Sequence, residues 1–480
     1  AKVNYMNNMW GEQEDPYSGD VANAYLQIPE LRGFEQFCVG RPAEDMPNLT
    51  ARICGVCPEA HHMAASKALD AVFHVDPPPT AKKLRELMYS IFFVTDHTTH
   101  FYALAGPDFV VGPTAPPAER NILGVIAKVG MDVAKHVLKM RHDGHALIQM
   151  MAGRRVHPNW GLPGGVSRGI NEEQRAEIEA RGREAIEFAK FSLQLFDDIV
   201  LKNSEYLKIV TGDVYVHKTY NMGMVDENNK ANFYDGAIRV TSPAGKEHAK
   251  YDCSNYRDYV AERVEPWSYL KFPYLKQVGW KGFVDGEDSG VYKCTPLSRC
   301  NAADGMATPL ADAAYKKMYE TLGGKPVNHT LATHWARLIE ILYSTERWVE
   351  LATDPEITGK EYRVLPTATP TEGVGCVEAP RGTLTHHYTT DERGILTKVN
   401  LIVGTTNNNA PICMSVKKAA QGLIHKGKVS EGLLNMVEMA FRAYDPCFGC
   451  ATHSLPGQMP LEVRIRDRQG AVVEKLSQYV

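Results

Sequence analysis

Two short cysteine pairs are the residues of this sequence that are best suited to chemistry. Cys54 and Cys57 stand near one end of the chain, and Cys447 and Cys450 stand near the other. Two residues separate the cysteines of each pair, a spacing that lets both sulfurs bind one metal ion. We therefore expect the fold to bring the two ends of the chain together and to form one four-thiolate site.

Three kinds of site are compatible with this spacing. Four thiolates suit a structural zinc ion. A Cys-x-x-Cys pair can also act as a redox dithiol, although no thioredoxin-like unit is evident here. Thiolates also select nickel and iron, which would make the site catalytic. The surroundings favour the catalytic interpretation, because the first pair runs into His61 and an alanine-rich helical pattern and the second follows a helical run. The cysteines of zinc ribbons lie in short hairpins instead.

The motifs around the two pairs resemble those of the large subunit of nickel–iron hydrogenases. Residues 52–57 read Arg-x-Cys-Gly-x-Cys, and residues 445–453 read Asp-Pro-Cys-x-x-Cys-x-x-His. Residues 32–35, 96–102 and 378–382 match further blocks of that family. The resemblance covers almost the whole chain and implies a catalytic subunit that splits or forms H2 heterolytically at a cysteine-bound nickel–iron centre.

The resemblance also implies partners and a location. Residues 378–388 and 443–453 are most similar to the cytoplasmic branch of the family, which contains methyl-viologen-reducing and bidirectional NAD-linked enzymes. The sequence has no further iron–sulfur cysteine cluster and no dinucleotide-binding glycine fingerprint. Electrons must therefore leave through an iron–sulfur small subunit, and we expect further electron-transfer subunits of the flavin, NAD-linked or heterodisulfide-reductase type.

The alternative is a hydrogenase-like subunit that binds zinc or little metal and serves a structural or assembly role in a redox complex. Elemental analysis distinguishes the two hypotheses, because nickel together with iron supports the enzyme and zinc alone supports the assembly role.

The resemblance implies roles for the four cysteines. Cys54 and Cys447 would be terminal ligands of nickel, and Cys57 and Cys450 would bridge nickel to an iron ion that carries cyanide and carbon monoxide. We also expect Cys447 to accept the proton of H2, because a terminal thiolate is basic and already touches the metal.

Other positions match the surroundings of the metals in the family. Pro380 and Thr405 match positions around the diatomic ligands. Glu35, the backbone carbonyl near Leu401 and His453 match a magnesium site, and oxygen ligands suit that hard cation.

Four further residues are expected to support the reaction. Arg381 lies in an Ala-Pro-Arg-Gly turn that can hold its guanidinium over the open side of the metal, where the charge would polarise H2. Asp96 and Asp445 could each pair with Arg381 and fix its direction. His61 follows Cys57 by four residues and could donate a hydrogen bond to that sulfur.

Composition excludes several classes of protein. The chain has 480 residues, of which 44% are hydrophobic and 23% are charged, as in ordinary globular proteins. A net charge of −4 without a basic block argues against nucleic acid as a partner. No apolar run reaches the length of a membrane span. Ten cysteines are too few for a disulfide scaffold in a chain this long, which agrees with a cytoplasmic location.

The hydrophobic patterns predict a mainly α (α+β) fold in which a core of long helices carries small β insertions. We expect a single domain over residues 1–480, with a β-rich insertion at about 210–300 and a polar, loop-rich start over residues 1–30. The predicted helices cover about residues 60–73, 81–105, 117–151, 172–206, 332–351, 416–424 and 430–443. Hairpins are predicted at 383–399 and 461–474.

Both ends of the given sequence depart from the family pattern. The family has a proton-relay glutamate just before the residues that match Ala1, so the relay either precedes the given residues or is absent. In the family a protease removes the tail after the position that matches His453, whereas this sequence continues over residues 454–480. The alternating pattern from Leu461 predicts a stable hairpin, so we expect a retained tail and cysteines that are nevertheless close in space.

Overall fold

Helices form the larger part of the structure, a computed structural model that describes residues 2–7, 21–28, 32–426, 428, 430–451, 461–466 and 472–478. This confirms the mainly α prediction. The helices are α1 (Phe34–Cys38), α2 (Met46–Thr50), α3 (Pro58–Val72), α4 (Pro79–Thr99), α5 (Ile122–Val129), α6 (Met131–Ala152), α7 (Glu172–Phe196), α8 (Ser204–Val210), α9 (Tyr256–Tyr259), α10 (Pro296–Ala302), α11 (Pro309–Thr321), α12 (Thr333–Ala352), α13 (Asn409–Leu423), α14 (Glu431–Arg442) and α15 (Phe448–Ala451).

Several small sheets accompany the helices. Their strands are β1 (Lys2–Asn7), β2 (Val21–Gln27), β3 (Gly161–Leu162), β4 (Gly165–Val166), β5 (Tyr220–Val225), β6 (Ala237–Thr241), β7 (Glu247–Tyr251), β8 (Val260–Val264), β9 (Lys271–Leu275), β10 (Tyr292–Lys293), β11 (Glu372–Ala379), β12 (Gly382–Thr390), β13 (Leu396–Ile402), β14 (Leu461–Arg466) and β15 (Val472–Gln478).

The core is built around α4 and α12. Both helices are buried along most of their length, and charged side chains such as Asp96, Arg337 and Glu340 are buried beside the apolar ones. Helix α12 packs against α7 and α4, and α4 packs against α6. In the part of the chain that the structure describes, no helix is both long and apolar enough to cross a membrane.

Three predicted helices are shorter in the structure than in the sequence analysis. The helix expected over 117–151 is divided into α5 and α6, because Gly130 between them adopts φ +91°, which an α-helix does not allow. The helix expected over 172–206 ends at Phe196 and continues as a π-helical turn before α8 begins. Helix α4 likewise ends at Thr99 and is followed by π-helical turns over residues 100–111. Such wider turns often occur near functional sites.

The β-rich stretch expected at about 210–300 is present. Strands β10, β5, β6 and β7 form one sheet in that order, and β8 pairs with β9. The turn between β6 and β7 is closed by Gly245, whose N–H donates to Ser242 O at 2.8 Å. Helix α10 lies on β5 and brings a buried arginine, Arg299, towards the centre of the molecule.

The sheet of β11, β12 and β13 positions the turn at residues 379–382. The hairpin of β12 and β13 confirms the prediction, whereas β11 was not predicted. Strand β11 lies directly on α3: a Cβ atom at Gly375 would stand 2.2 Å from Ala68 N and 2.3 Å from Ala64 O. Because α3 begins immediately after Cys57, this close contact fixes the sheet relative to the first cysteine pair.

The prediction of a loop-rich start was wrong for the described residues of that region. Strands β1 and β2 pair antiparallel, with Lys2 opposite Gln27, and β2 packs against α13. The sequence KVNYMN largely alternates polar and apolar residues and VANAYLQ is mostly apolar, so the strands carry a signal that the polar segment between them obscured. At the other end of the chain, β14 and β15 form the predicted hairpin, with Leu461 opposite Gln478.

Candidate metal centre

The fold brings the two cysteine pairs together. The sulfur atoms of Cys54 and Cys447 lie 3.4 Å apart. The sulfur of Cys57 joins them, and the three sulfurs lie within 4.8 Å of one another. Cys450 lies in α15, the short helix that follows Cys447, and its side chain lies outside the described residues. Three converging sulfurs with soft, ionisable character fit a nickel or iron ion.

Backbone donors stabilise this arrangement of sulfurs. The N–H groups of Val56 and Cys57 donate to Cys54 Sγ at 3.3 and 3.0 Å, which fixes the position of that sulfur. The N–H of Cys447 donates to Thr405 Oγ1 at 3.1 Å. Thr405, which was predicted to lie around the diatomic ligands, is therefore in contact with the backbone of one proposed nickel ligand.

Arg32 joins the two cysteine loops. Its guanidinium donates to the carbonyls of Ile53 and Arg52 beside the first pair, and to Gly449 O beside the second at 3.2 Å. A Cβ atom at Gly449 would stand 2.8 Å from Arg32 Nη1, so the glycine allows this contact. Sequence analysis placed Arg32 in a matching block but assigned it no role.

Arg381 is held between two buried carboxylates. Its Nη1 lies 3.1 Å from Asp96 Oδ2, and its Nη2 lies 2.9 Å from Asp445 Oδ2. Burial alone would lower the pKa of Arg381, but the charges of Asp445 and Asp96 outweigh it and hold that pKa well above its usual value. The charges of Cys57 and Cys54 act in the same direction, so the guanidinium faces a strongly anionic site as a permanent cation.

The two carboxylates reach Arg381 from distant parts of the chain. Asp96 lies on α4, and its Oδ1 has no hydrogen-bond partner among the described residues. Asp445 adopts φ +53° between α14 and Cys447, a left-handed conformation that aspartate tolerates better than most residues. Burial raises the pKa of Asp445, and Arg381 opposes that shift. His100 lies 3.9 Å from Asp445 Oδ1 and is close to Arg442 O, 2.9 Å away.

His61 is buried in α3 and contacts another histidine. Its Nδ1 lies 3.2 Å from His386 Nε2, and His386 Nδ1 lies 2.5 Å from Tyr388 Oη. This buried chain of polar side chains leads away from the cysteines along β12, and the sequence offered no sign of it.

The residues of the predicted magnesium site meet in part. Glu35 Oε1 accepts a hydrogen bond from the N–H of Leu401 at 2.8 Å. Glu35 Oε2 lies 3.4 Å from the ammonium of Lys271, which also lies 3.6 Å from Glu262. The ammonium of Lys271 thus already lies beside Glu35, the carboxylate that was predicted to bind magnesium. His453 lies outside the described residues.

Sequence analysis missed other buried charged residues. Glu59 follows Cys57 by two residues and is 2% exposed; burial raises its pKa to about 8. Its position beside a cysteine pair could have drawn attention to it. Arg299 donates to the carbonyl of Pro380 at 2.9 Å and forms an ion pair with Glu340 at 2.6 Å. No local pattern marks Arg299 or Glu340, because their contacts come from separate segments.

Comparison with known proteins identifies the family. The sequence profile of the nickel-dependent hydrogenases matches residues 32–122 and 202–453. The chain belongs to the nickel-dependent hydrogenase family. An F420-non-reducing hydrogenase chain of Archaeoglobus profundus, whose name calls it an iron-sulfur subunit, is 48% identical over 462 residues, which cover 96% of this chain and 95% of that protein. The beta chain of the NAD-reducing hydrogenase HoxS of Cupriavidus necator is 37% identical over 472 residues, or 95% and 94% of the two chains.

Solved hydrogenases have the same fold. The crystal structure of an NAD+-reducing [NiFe]-hydrogenase in the H2-reduced state matches with a TM-score of 0.84 and 37% identity, over 91% of this chain and 94% of the other. A Ni-Fe-Se hydrogenase of Desulfovibrio vulgaris Hildenborough matches with a TM-score of 0.71 at 23% identity, over 91% and 95%, and shows the shared fold alone.

Family membership confirms the predicted activity. This nickel-dependent hydrogenase is the catalytic subunit of an oxidoreductase that acts on H2, and its family implies a centre of nickel and iron. The three described sulfurs fit that centre, because thiolates are the ligands that soft metals select.

Proposed function

We propose that Cys54, Cys57, Cys447 and Cys450 hold the nickel–iron centre at which H2 is split or formed. Cys54 and Cys447 would hold nickel as terminal ligands, and Cys57 and Cys450 would be shared between nickel and iron. The convergence of the Cys54, Cys57 and Cys447 sulfurs within 4.8 Å carries this assignment. When bound, the centre supplies the Lewis acidity and the redox capacity that cleavage of H2 requires. Iron would also carry cyanide and carbon monoxide, and Pro380 and Thr405 would lie beside these ligands.

Arg381 polarises the H–H bond through its positive charge. Its guanidinium stays protonated because two buried carboxylates stabilise the charge, so its role is electrostatic. The cation would polarise H2 so that one hydrogen leaves as a proton, while the metal centre, when bound, would take up the electron pair of the broken bond. Cys447 receives that proton at Sγ.

Asp96 and Asp445 orient the guanidinium. Asp96 accepts a hydrogen bond from Nη1 of Arg381 and Asp445 forms an ion pair with Nη2, so the two carboxylates hold the guanidinium between them. His61 follows Cys57 by one turn of α3, and a hydrogen bond from His61 to that sulfur would tune it.

The chain passes electrons to an iron–sulfur small subunit that docks beside the first cysteine motif. Val56 within this motif is 51% exposed, and Phe37 and Val39, in and just after α1, are 49% and 38% exposed. Exposed apolar residues next to a redox site are typical of a protein interface. We expect an obligate contact of about 2,000 Å² or more. Further flavin, NAD-linked or heterodisulfide-reductase subunits complete a cytoplasmic complex.

Glu35, the carbonyl of Leu401 and His453 would hold a magnesium ion. The buried Glu35 carboxylate is the observation behind this assignment, because carboxylate oxygens suit magnesium, and the Lys271 ammonium 3.4 Å away would have to make room for the ion. The chain forms one domain, since the proposed site needs ligands from both of its ends.

Metal analysis tests the proposed centre. The protein, purified with its partners, should contain comparable amounts of nickel and iron. It should also show infrared bands of bound carbon monoxide and cyanide, and reduce methyl viologen with H2. Zinc in place of nickel and iron would contradict the assignment of the cysteines and favour a role in assembly.

A further inference from the structure

One buried arginine holds the backbone that carries Arg381. Arg299 Nη1 donates to Ala379 O, and Arg299 Nη2 donates to Pro380 O, both at 2.9 Å. These are the two carbonyls that immediately precede Arg381 in the chain. A single planar guanidinium therefore fixes two successive peptide groups, a task that suits the fork geometry of arginine.

The neighbouring carbonyls are held by other buried donors. Tyr89 Oη donates to Glu378 O, and Asn408 Nδ2 donates to Arg381 O at 2.7 Å. All four carbonyls from 378 to 381 thus accept a hydrogen bond from a buried side chain. The turn consequently has little freedom to shift relative to the helices beneath it.

Arg299 is itself immobilised by charge and packing. Its Nε and Nη2 donate to the two oxygens of Glu340 at 2.7 and 2.6 Å, and its Nη1 donates to Glu378 Oε2 at 3.2 Å. His97 Nε2 donates to Glu340 Oε2 at 2.8 Å. Gly223 allows the backbone of Arg299 to approach β5, since a Cβ atom there would stand 2.9 Å from Arg299 Cα. The Arg299 side chain is therefore held in one conformation, as is the turn of residues 378–381 to which it donates.

We propose that Arg299 is a positioning residue for the hydrogenase reaction: together with Glu340 it fixes the carbonyls of residues 379 and 380 and so sets the place of the Arg381 guanidinium. The inference rests on the proposed role of Arg381. The hydrogen bonds that Arg299 donates end on Glu340, on Glu378 and on backbone carbonyls, so it acts on the site through the turn.

The effect on rate follows from geometry. A displacement of a reacting or polarising group by about 1 Å can slow catalysis by about 100-fold. Lysine at position 299 would keep the positive charge, but its single ammonium cannot serve Glu340 and both carbonyls in the planar arrangement of the arginine. The turn would lose part of its support while the buried charge stays balanced.

Arg85 provides a matched control. It is also fully buried, pairs with Asp70, and donates to the carbonyls of Leu162 and Gly165 at 2.8 and 2.7 Å. It thus makes the same kinds of contact as Arg299, but the turn that it supports carries none of the proposed site residues. Both Arg299→Lys and Arg85→Lys should lower stability, because each replaces a buried arginine. Only Arg299→Lys should also disturb the position of Arg381.

The experiment compares Arg299→Lys, Arg85→Lys, Arg381→Lys and the double variant at 299 and 381. Each is purified as the complex with its partner subunits, and H2-dependent methyl viologen reduction is measured per bound nickel. We expect Arg299→Lys to be about tenfold slower and Arg85→Lys to be unchanged. The double variant should be no slower than Arg381→Lys alone, because both changes disturb the same guanidinium.

Infrared spectra supply a second measurement that does not depend on turnover. The carbon monoxide and cyanide bands should shift in Arg299→Lys, since the supported turn includes Pro380, and should stay in place in Arg85→Lys. Should Arg299→Lys fail to retain nickel, Glu340→Gln takes its place, because it keeps the shape of the partner and weakens its hold on Arg299.

The outcomes separate the two proposals. Normal turnover of Arg381→Lys at full nickel content would refute the proposed role of Arg381 itself. A slow Arg381→Lys beside a normal Arg299→Lys would overturn the positioning role alone. Losses that multiply in the double variant would overturn it as well, because they would show that Arg299 acts independently of Arg381.

Discussion

Replacement of Arg381 by lysine tests the electrostatic role of this residue most directly. The change keeps a positive charge and removes the fork that engages two carboxylates at once. In the structure, Arg381 Nη1 lies 3.1 Å from Asp96 Oδ2, and Arg381 Nη2 lies 2.9 Å from Asp445 Oδ2. A lysine ammonium is a single point of charge on a flexible stem, so it cannot reproduce both contacts in the same geometry.

The size of the effect follows from how much of this two-point attachment lysine can keep. Removal of one preorganised donor at a reacting centre costs about 2.7–4 kcal/mol. Lysine at position 381 retains the charge and one ion pair, so we expect a smaller cost, about 1.4–2.8 kcal/mol, in the transition-state free energy. At about 1.36 kcal/mol per factor of ten, turnover should fall by about 10- to 100-fold. Nickel content should not change, because Arg381 is not a proposed ligand.

The assay is H2-dependent reduction of methyl viologen by the purified complex, normalised to nickel. Arg393→Lys is the control: the Arg393 side chain is 81% exposed and pairs with Asp391 at the other end of β12, so an arginine-to-lysine change there should leave turnover as it is. Wild-type turnover of Arg381→Lys with a full complement of nickel would refute the argument that two-point fixation of the guanidinium drives the reaction.

Three further predictions address the metals and the scaffold. Cys54→Ser should lose nickel and H2-dependent dye reduction, because a hydroxyl is a poor ligand for a soft metal; nickel bound at wild-type level would contradict the shared site. Gly375→Ala should lower the free energy of unfolding by about 1–3 kcal/mol in thermal melts. The new Cβ would stand 2.2 Å from Ala68 N, a backbone atom that cannot move without displacing α3. An unchanged melting temperature would argue against the contact of β11 with α3. Glu35→Gln should lose bound magnesium in metal analysis while the exposed Glu44→Gln keeps it, and equal magnesium in both would remove Glu35 from that site.

The sequence predicted the parts of the site in which chemistry dictates residue type and spacing. The two Cys-x-x-Cys pairs required a fold that joins the ends of the chain, and the sulfurs of Cys54 and Cys447 do meet. The long helix around Asp96 followed from an apolar run. The same holds for the hairpin of β12 and β13, whose turn residues are local signals.

The remaining features depend on contacts between distant segments. Strand β11 contains Gly373 and Gly375, which weaken a strand signal in sequence, yet they are the residues that let the strand lie on α3. Gly130 ends a helical pattern that continues on both sides of it. Arg299 has no local signature, because its partners come from α12, β11 and the turn after it.

The separation of the two cysteine pairs has a consequence for biosynthesis. Cys54 and Cys447 are 393 positions apart in the chain. At about 5–20 residues per second, a ribosome needs about 20 to 80 seconds to translate the chain between them. During this interval the first pair exists as an incomplete dithiol, exposed to oxidation and to whichever metal ions are at hand. Assembly of the proposed four-cysteine centre would therefore follow translation of nearly the whole polypeptide.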